Sequence, residues 1–253
     1  MNNFNKYSKY YDLMYNDKQY ELETNYILSL LQEYKKDCVS ILELGSGSGN
    51  HAYYLSKYGY NVYGIERSEE MVEISINKKI ANFFPLVGDI INFDLNKKFD
   101  AAISLFHVFS YLKDNQSVIK CLTNVNTHLN LGAIFIFDVW FTPAVYTQKP
   151  EVRIKRLENS EISLTRISES SIDFIQNIVN VNFEVIIENK ETRKVDYIKE
   201  KHPMRHFSVP ELEFYAKTTG FEILLTEEYV TKNIPSEKTW GICIVLKKIK
   251  NII

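Results

Sequence analysis

The stretch ILELGSGSGNHAYYL, residues 41–55, sets three glycines within five residues, directly after an apolar run and directly before a helical pattern. A buried strand that turns straight into a helix in this way places its glycines at the carboxyl edge of a parallel sheet, where open α/β folds bind ligands. Glycine permits the tight turn and lets backbone N–H groups come close to a ligand. Gly45, Gly47 and Gly49 are spaced GxGxG and Asn50 follows them, so the GxGxxG dinucleotide fingerprint is not met.

Outward from this turn the same alternation repeats. Apolar residues recur at helical spacing from Tyr20 to Leu31, ahead of the strand VSILEL. Downstream come a helix from Asn50 to about Tyr58, the strand NVYGIE, a helix from Ser68 to Lys78, and the strands NFFPLVGD and FDAAISLF. A helix from about Asn115 to Leu129 and the strand AIFIFDVW complete the run. Apolar strands alternating with helices predict an α/β fold with a mostly parallel sheet covered on both faces. After Trp140 the rhythm changes. EISLTRI, NVNFEVII and KVDYIKE read as antiparallel strands of a β-rich insertion between about Val152 and Lys201. Helical spacing returns at Ser208, a candidate N-cap, Gly220 ends that helix, and FEILLTEE and TWGICIVLKK read as closing strands. The expected organisation is residues 1–139 as N-terminal helices and ligand-binding core, 140–206 as insertion, and 207–253 as the closing helix and strands.

The composition is that of an ordinary globular chain: 253 residues, 45% hydrophobic and 25% charged, long enough for a full core. With 30 Lys+Arg against 32 Asp+Glu there is no basic field to draw nucleic acid or an anionic membrane, and neither is expected as a partner. Cys38, Cys121 and Cys243 lack zinc or disulfide spacing and read as reduced core thiols, and no acidic or histidine cluster suggests a metal. The start, MNNFNKYSKYYDLMY, has no signal-peptide pattern, so the cytoplasm is the expected address.

Taken together, Glu43, Gly45, Gly47 and Gly49 resemble the first motif of the class I S-adenosylmethionine-dependent methyltransferases, an acidic residue followed by GxGxG. The resemblance implies their Rossmann-like sheet, their cofactor and several contacts. Glu43 would lie near the methionine amino group. Glu66, ending NVYGIE, would accept both ribose hydroxyls. Asp89 of VGDI would meet the adenine amino group, with Ile90 beside the ring. SLFHVFSYL, including Leu105, would line the methionine side and the acceptor, and His51 would sit beside the cofactor. The YDxxY element, Tyr11 to Tyr15, resembles an N-terminal segment that folds over the cofactor in small-molecule members, making Tyr11 a cofactor neighbour and Tyr15 a candidate for the reaction site.

Further on, DVWFTPAVY, RHFSVPELEFYAKTTGF and PSEKTWGICIVL are similar to segments of the sugar N,N-dimethyltransferases that act on nucleotide-linked amino sugars. Asp138, Trp140, Phe141 and Pro143 fit one element of that family, and Pro235 with Ser236 another. Lys238 stands where the family often has Arg, and an ammonium meets a phosphate as a point charge only. The resemblance implies a small, nucleotide-linked acceptor, an aromatic wall of Trp140 and Phe141, and cations for a diphosphate. The cation candidates are Arg153, Lys155, Arg166, Arg205 and Lys238, with Arg205 and Lys238 preferred.

Position at the end of the fourth strand makes His107 the candidate base, with Tyr111 one helical turn on to orient the acceptor. His202 and His206 could reach the site from the insertion's exit. An amine needs only orientation, whereas a hydroxyl favours a base. The alternatives are therefore O-methylation of a cell-surface polysaccharide precursor or its phosphoramidate group, a nicotinamide-dependent oxidoreductase using Glu66, and a non-catalytic cofactor binder. The insertion forms either an acceptor-side lid or a homodimer surface, and the sequence leaves both open.

Overall fold

The computed structural model describes residues 8–252; residues 1–7, which hold much of the polar amino terminus, and residue 253 lie outside the described residues. Helices α1 (Ser8–Met14) and α2 (Tyr20–Tyr34) precede the core. The core runs β1 (Ser40–Leu44), α3 (Asn50–Lys57), β2 (Asn61–Glu66), α4 (Glu69–Asn77), β3 (Phe83–Val87), β4 (Phe99–Ser104), α5 (Asn115–His128) and β5 (Leu129–Phe141). After α6 (Thr142–Thr147) come the insertion strands β6 (Arg153–Glu158), β7 (Ile162–Asp173), β8 (Ile178–Asn189) and β9 (Val195–Phe207). Helix α7 (Val209–Thr218) and strands β10 (Phe221–Glu228) and β11 (Gly241–Lys248) close the chain. None of the described helices is long and apolar enough to cross a membrane.

Strands β3-β2-β1-β4-β5 pair in parallel, β11 joins β5 antiparallel, and β10 pairs with β11. The chain therefore winds away from β1 in both directions, and the crevice between β1 and β4 is the switch point of the sheet. Alternation along the strands divides the core in two. Leu42, Leu44, Ala102, Phe135 and Phe137 pack with α5 and α7, while Ile41, Ala101, Ile103, Ile134 and Ile136 pack with α2 and α3. Glu43 shares the face of Ile41 and is buried there.

The insertion is continuous with this sheet. Pairing of β4 with β5 ends at Ser104 and Phe137, and three residues further on β9 takes the vacated edge of β5, with Trp140 opposite His206 and Phe141 opposite Phe207. Strands β6 to β9 form an antiparallel meander, so alternate residues share a face. One face packs Leu164, Val185, Ile187 and Ile198 under Met14, Tyr11 and Tyr15, and packs Val179, Val181 and Met204 against Val145, Trp140 and Trp240. The β-rich segment is thus a wall over the core rather than a detached unit.

One local expectation differs in detail. Ser208 precedes α7, but its side chain makes no capping hydrogen bond. Pro210 in the first turn has no N–H, so one fewer amide needs a cap.

Candidate functional site

Four loops meet at the carboxyl edge of β1, β2, β3 and β4. The glycine turn runs with Gly45, Gly47 and Gly49 all left-handed, at φ of +69°, +53° and +80°. A Cβ on Gly45 would lie 2.5 Å from the Val108 side chain, so the turn and the exit of β4 touch only because that atom is absent. Gly47 donates its N–H to Glu66 Oε2 at 3.0 Å, and Ser68 donates its N–H to Oε1 at 2.8 Å. Burial pushes Glu66 above the usual carboxylate range despite these donors, so its remaining lone pairs favour further donors such as a vicinal diol. Asp89 follows β3 and accepts the Ile91 N–H at 3.2 Å.

The exit of β4 is strained. Phe106 and His107 are both left-handed, at φ of +63° and +59°, a conformation that costs non-glycine residues about 1–3 kcal/mol each. Asp138, fully buried on β5 just past the last β4 pair, holds the turn. Its two oxygens accept the His107 N–H at 3.2 and 3.1 Å, and Oδ2 lies 2.6 Å from the imidazole Nδ1, an ion-pair distance rather than an aligned hydrogen bond. That leaves Nε2 as the ring nitrogen available for proton transfer. The following turn, Val108–Tyr111, is pinned by Phe109, which is fully buried and stacks 4.4 Å from Phe137. Burial of one such ring contributes about 1.5–3 kcal/mol.

Just before the glycine turn, on the face of β1 that packs with α2 and α3, lies Glu43, 2% exposed. Its Oε1 is 3.9 Å from His51 Nδ1, and its Oε2 has no hydrogen-bond partner among the described residues. Burial first, and Glu66 second, push its carboxyl up to about 8. A buried acceptor lacking a donor suits an incoming ammonium.

A cleft of about 1230 Å³ joins these parts to the insertion wall. At one end it is lined by Gly45, Gly47, Glu66, Asp89 and Ile90, with Tyr11 and Tyr15 above them. The same cleft is lined by His107, Tyr111, Trp140 and Trp240, and by Arg153, Arg166, Phe183 and His202 of the insertion. Tyr11 lies on α1 and Tyr15 directly follows it, and Asp12 ties that helix to Lys78 at 2.9 Å and to Ser48 Oγ at 2.8 Å. Arg166 Nη1 donates to Tyr15 Oη at 3.2 Å, joining that segment to the wall.

Nine of the residues expected at the site do not line this cleft: Glu43, Gly49, His51, Leu105, Phe141, Lys155, Arg205, His206 and Lys238. Gly49 is the left-handed N-cap of α3 and packs on Phe83. Leu105 belongs to the core on the α2 side, and Phe141 packs on the opposite core. Arg205 is a buried structural cation: its Nη2 donates to Asn115 Oδ1 at 2.8 Å and Tyr215 Oη at 3.2 Å, and it pairs with Glu211, tying α5 and α7 to β9. Neighbouring His206, buried and beside Arg205, is pushed down to about 4 and bonds Thr142. Lys238 is exposed on the Ser236–Thr239 turn and does not line the cleft. Of the remaining cation candidates, Lys155 pairs with Asp17 at 2.7 Å, and Arg153 and Arg166 reach the cleft. Reading the sequence did not single out Arg67, Phe183 or Trp240; strand alternation places Phe183 on the face of Val181, a signal available once the strand registers are known.

The strand order, the glycine turn and the acids at the ends of β2 and β3 define a class I methyltransferase fold, whose methyl donor is S-adenosylmethionine. The chain belongs to the methyltransferase domain family, whose model matches residues 15–226. It is 28% identical over 138 residues to the dTDP-3-amino-3,4,6-trideoxy-alpha-D-glucopyranose N,N-dimethyltransferase of Streptomyces venezuelae, a match covering 54% of this chain and 58% of that enzyme. An S-adenosylmethionine-dependent methyltransferase from Clostridium acetobutylicum has the same fold, with a TM-score of 0.80, 22% identity, and coverage of 96% of this chain and 98% of that one. The sugar N-methyltransferase KedS8 from Streptoalloteichus also superimposes with a TM-score of 0.80, at 18% identity, covering 93% of this chain and 92% of its own.

Glu66→Ala is expected to weaken S-adenosylmethionine binding by about 1.5–3 kcal/mol, the worth of a hydrogen bond to a charged group. Isothermal calorimetry checks this, and unchanged affinity would place the ribose elsewhere.

Proposed function

We propose that this chain transfers the methyl group of S-adenosylmethionine to the amine of a small, nucleotide-linked amino sugar. The observation that carries this reading is one continuous cleft of about 1230 Å³, larger than the roughly 300–1,000 Å³ usual for one ligand. It runs from the glycine turn to an aromatic and cationic wall. The residues around the glycine turn fit the cofactor: Glu66 for the ribose, Asp89 and Ile90 for the adenine, and Tyr11 and Tyr15 as a cover, while Glu43, which does not line the cleft, lies buried behind the turn with an oxygen that has no hydrogen-bond partner among the described residues and would serve the α-amino group. When bound, the cofactor supplies an activated methyl group on a sulfonium. Elsewhere along it Trp140, Trp240 and Phe183 offer faces for a sugar or base, and Arg153 and Arg166 offer cations for a diphosphate, roles first expected also of Phe141, Arg205 and Lys238. His107, turned by Asp138, orients the acceptor between them. The similarity to dTDP-amino sugar N,N-dimethyltransferases supports the choice of acceptor.

A hydroxyl acceptor is the second reading, and the His107–Asp138 pair favours it, since such a pair suits a general base worth about 10²–10⁴-fold. Mass spectrometry of reactions containing the protein, S-adenosylmethionine and matched nucleotide-linked amino and hydroxyl sugars separates the two. A methyl-mass gain confined to the amines is the expected result. Gain confined to the hydroxyl compounds, abolished by His107→Ala, would replace the first reading with the second.

A further inference from the structure

A chain of ionisable side chains leads through the interior to Glu43. Lys18, in the link between α1 and α2, pairs with Glu23 of α2. Glu23 Oε2 lies 2.8 Å from His51 Nε2 on α3, and His51 Nδ1 lies 3.9 Å from Glu43 Oε1 on β1. In the order Lys18, Glu23, His51 and Glu43 the side chains are 11%, 13%, 8% and 2% exposed. At the other end of the chain the Lys18 ammonium stands 4.2 Å from the centroid of the Phe106 ring, and Phe106 lines the cleft at the exit of β4. An ammonium has three donors, and among the described residues Glu23 is the one carboxylate that pairs with this one. Taking an ammonium out of water is costly, and its remaining donors favour a further acceptor.

S-adenosylmethionine carries an ammonium and a carboxylate on one carbon, so the group that takes the first needs a cation close by for the second. Resting on the placement of the α-ammonium at Glu43, we propose that Lys18 binds the carboxylate of S-adenosylmethionine, so that the cofactor's amino-acid end is recognised as a zwitterion. The cations that line the cleft lie elsewhere: Arg67 follows the ribose acid Glu66, Lys149 lies between α6 and β6, and Arg153 and Arg166 belong to β6 and β7. It is Lys18 that side-chain contacts join to Glu43. Lys18 does not itself line the cleft, and its ammonium meets the cleft's wall at the Phe106 ring, where the carboxylate is to be held. Its flexible four-carbon stem and three donors let it take a second carboxylate while keeping the first. Glu23, which holds both Lys18 and His51, acts through them as a positioning residue. The consequence is a preference for a cofactor that has its carboxylate over one that has only the amine.

The test is the calorimetric affinity of the wild type, Lys18→Met and Lys18→Arg for S-adenosylmethionine and for decarboxylated S-adenosylmethionine, which keeps the amine and lacks only the carboxylate. The wild type is expected to bind S-adenosylmethionine about 10- to 100-fold more tightly than the decarboxylated ligand, the range of one hydrogen bond to a charged group. Lys18→Met keeps an apolar stem against Phe106 and should abolish that preference by weakening S-adenosylmethionine alone, so its binding of the decarboxylated ligand also reports that it is folded. Lys18→Arg should retain most of the preference. Equal affinities in the wild type overturn the proposal without any variant. A Lys18→Met protein that keeps the preference also overturns it, as does one that loses affinity for both ligands alike, which would make Lys18 a structural cation. Glu43→Gln should weaken both ligands, since both carry the amine; if it weakens neither, the ammonium placement is overturned, separately from the comparison made on Lys18. None of these outcomes depends on which acceptor is methylated.

Discussion

Asp138→Ala should lower kcat/KM for methyl transfer by at least about 10²-fold and should do more damage on amine acceptors than His107→Ala. The carboxylate holds both the backbone N–H and the ring of His107 through a left-handed pair of non-glycine residues. Without it the turn keeps the packing of Phe109 but loses the hydrogen bonds that hold its strained first residues, so His107 and the residues that follow it shift. A misplacement of about 1 Å at a reacting centre can cost about 10²-fold. His107→Ala removes one side chain and leaves the turn where it is. Steady-state kinetics on both variants, with S-adenosylmethionine affinity measured alongside, check the ordering. Equal losses in the two would show that Asp138 acts through the imidazole alone.

Glu43→Gln is expected to flatten the alkaline loss of stability in the cofactor-free protein. The Glu43 carboxyl is pushed from 4.5 up to about 8 when folded, by burial and then by Glu66. Its folded form therefore holds a proton that the unfolded chain has released. The stability this confers is complete below about pH 4.5 and is lost as pH rises to about 8. At 1.36 kcal/mol per pKa unit the change is on the order of 4 kcal/mol across that window. Glutamine keeps the shape without the titration. Thermal melts between pH 5 and 9 should show a steep fall in Tm for the wild type and a shallow one for the variant, roughly 2–4 °C for each kcal/mol. Added cofactor should also reduce the wild-type slope, because its α-ammonium would meet the carboxylate. Parallel slopes in the two proteins would show that Glu43 ionises as an ordinary carboxylate.

What could be read in the chain was what its neighbours in sequence dictate. The glycine turn, the acids closing β2 and β3, and the alternation of strands and helices are local patterns, and each element of the core lies where its periodicity puts it. Contacts between distant segments were another matter. Arg205 looked like a phosphate cation because Asn115 and Glu211, which occupy it, come from α5 and α7. Phe141 and Trp140 looked equivalent as adjacent aromatics, but neighbours on a strand face opposite ways, and only Trp140 reaches the cleft. Asp138 was legible as an acid before aromatics, not as the partner of a histidine 31 residues earlier. The pairing of Tyr111 with His202 spans 91 residues and depends on where β9 settles on the edge of β5.

That edge has a consequence for how acceptor preference can change. Because β9 is joined to β5 by backbone pairing, the rows of side chains facing the cleft from β7, β8 and β9 are fixed in step with Asp138 and Trp140. Adding or deleting one residue in a strand would turn its whole inner row to solvent, whereas two in each arm of the β7–β8 hairpin would lengthen the wall by one rung and leave the rest aligned. Diversification of such an enzyme should therefore proceed by substitution within rungs and by hairpin lengths that change in even increments.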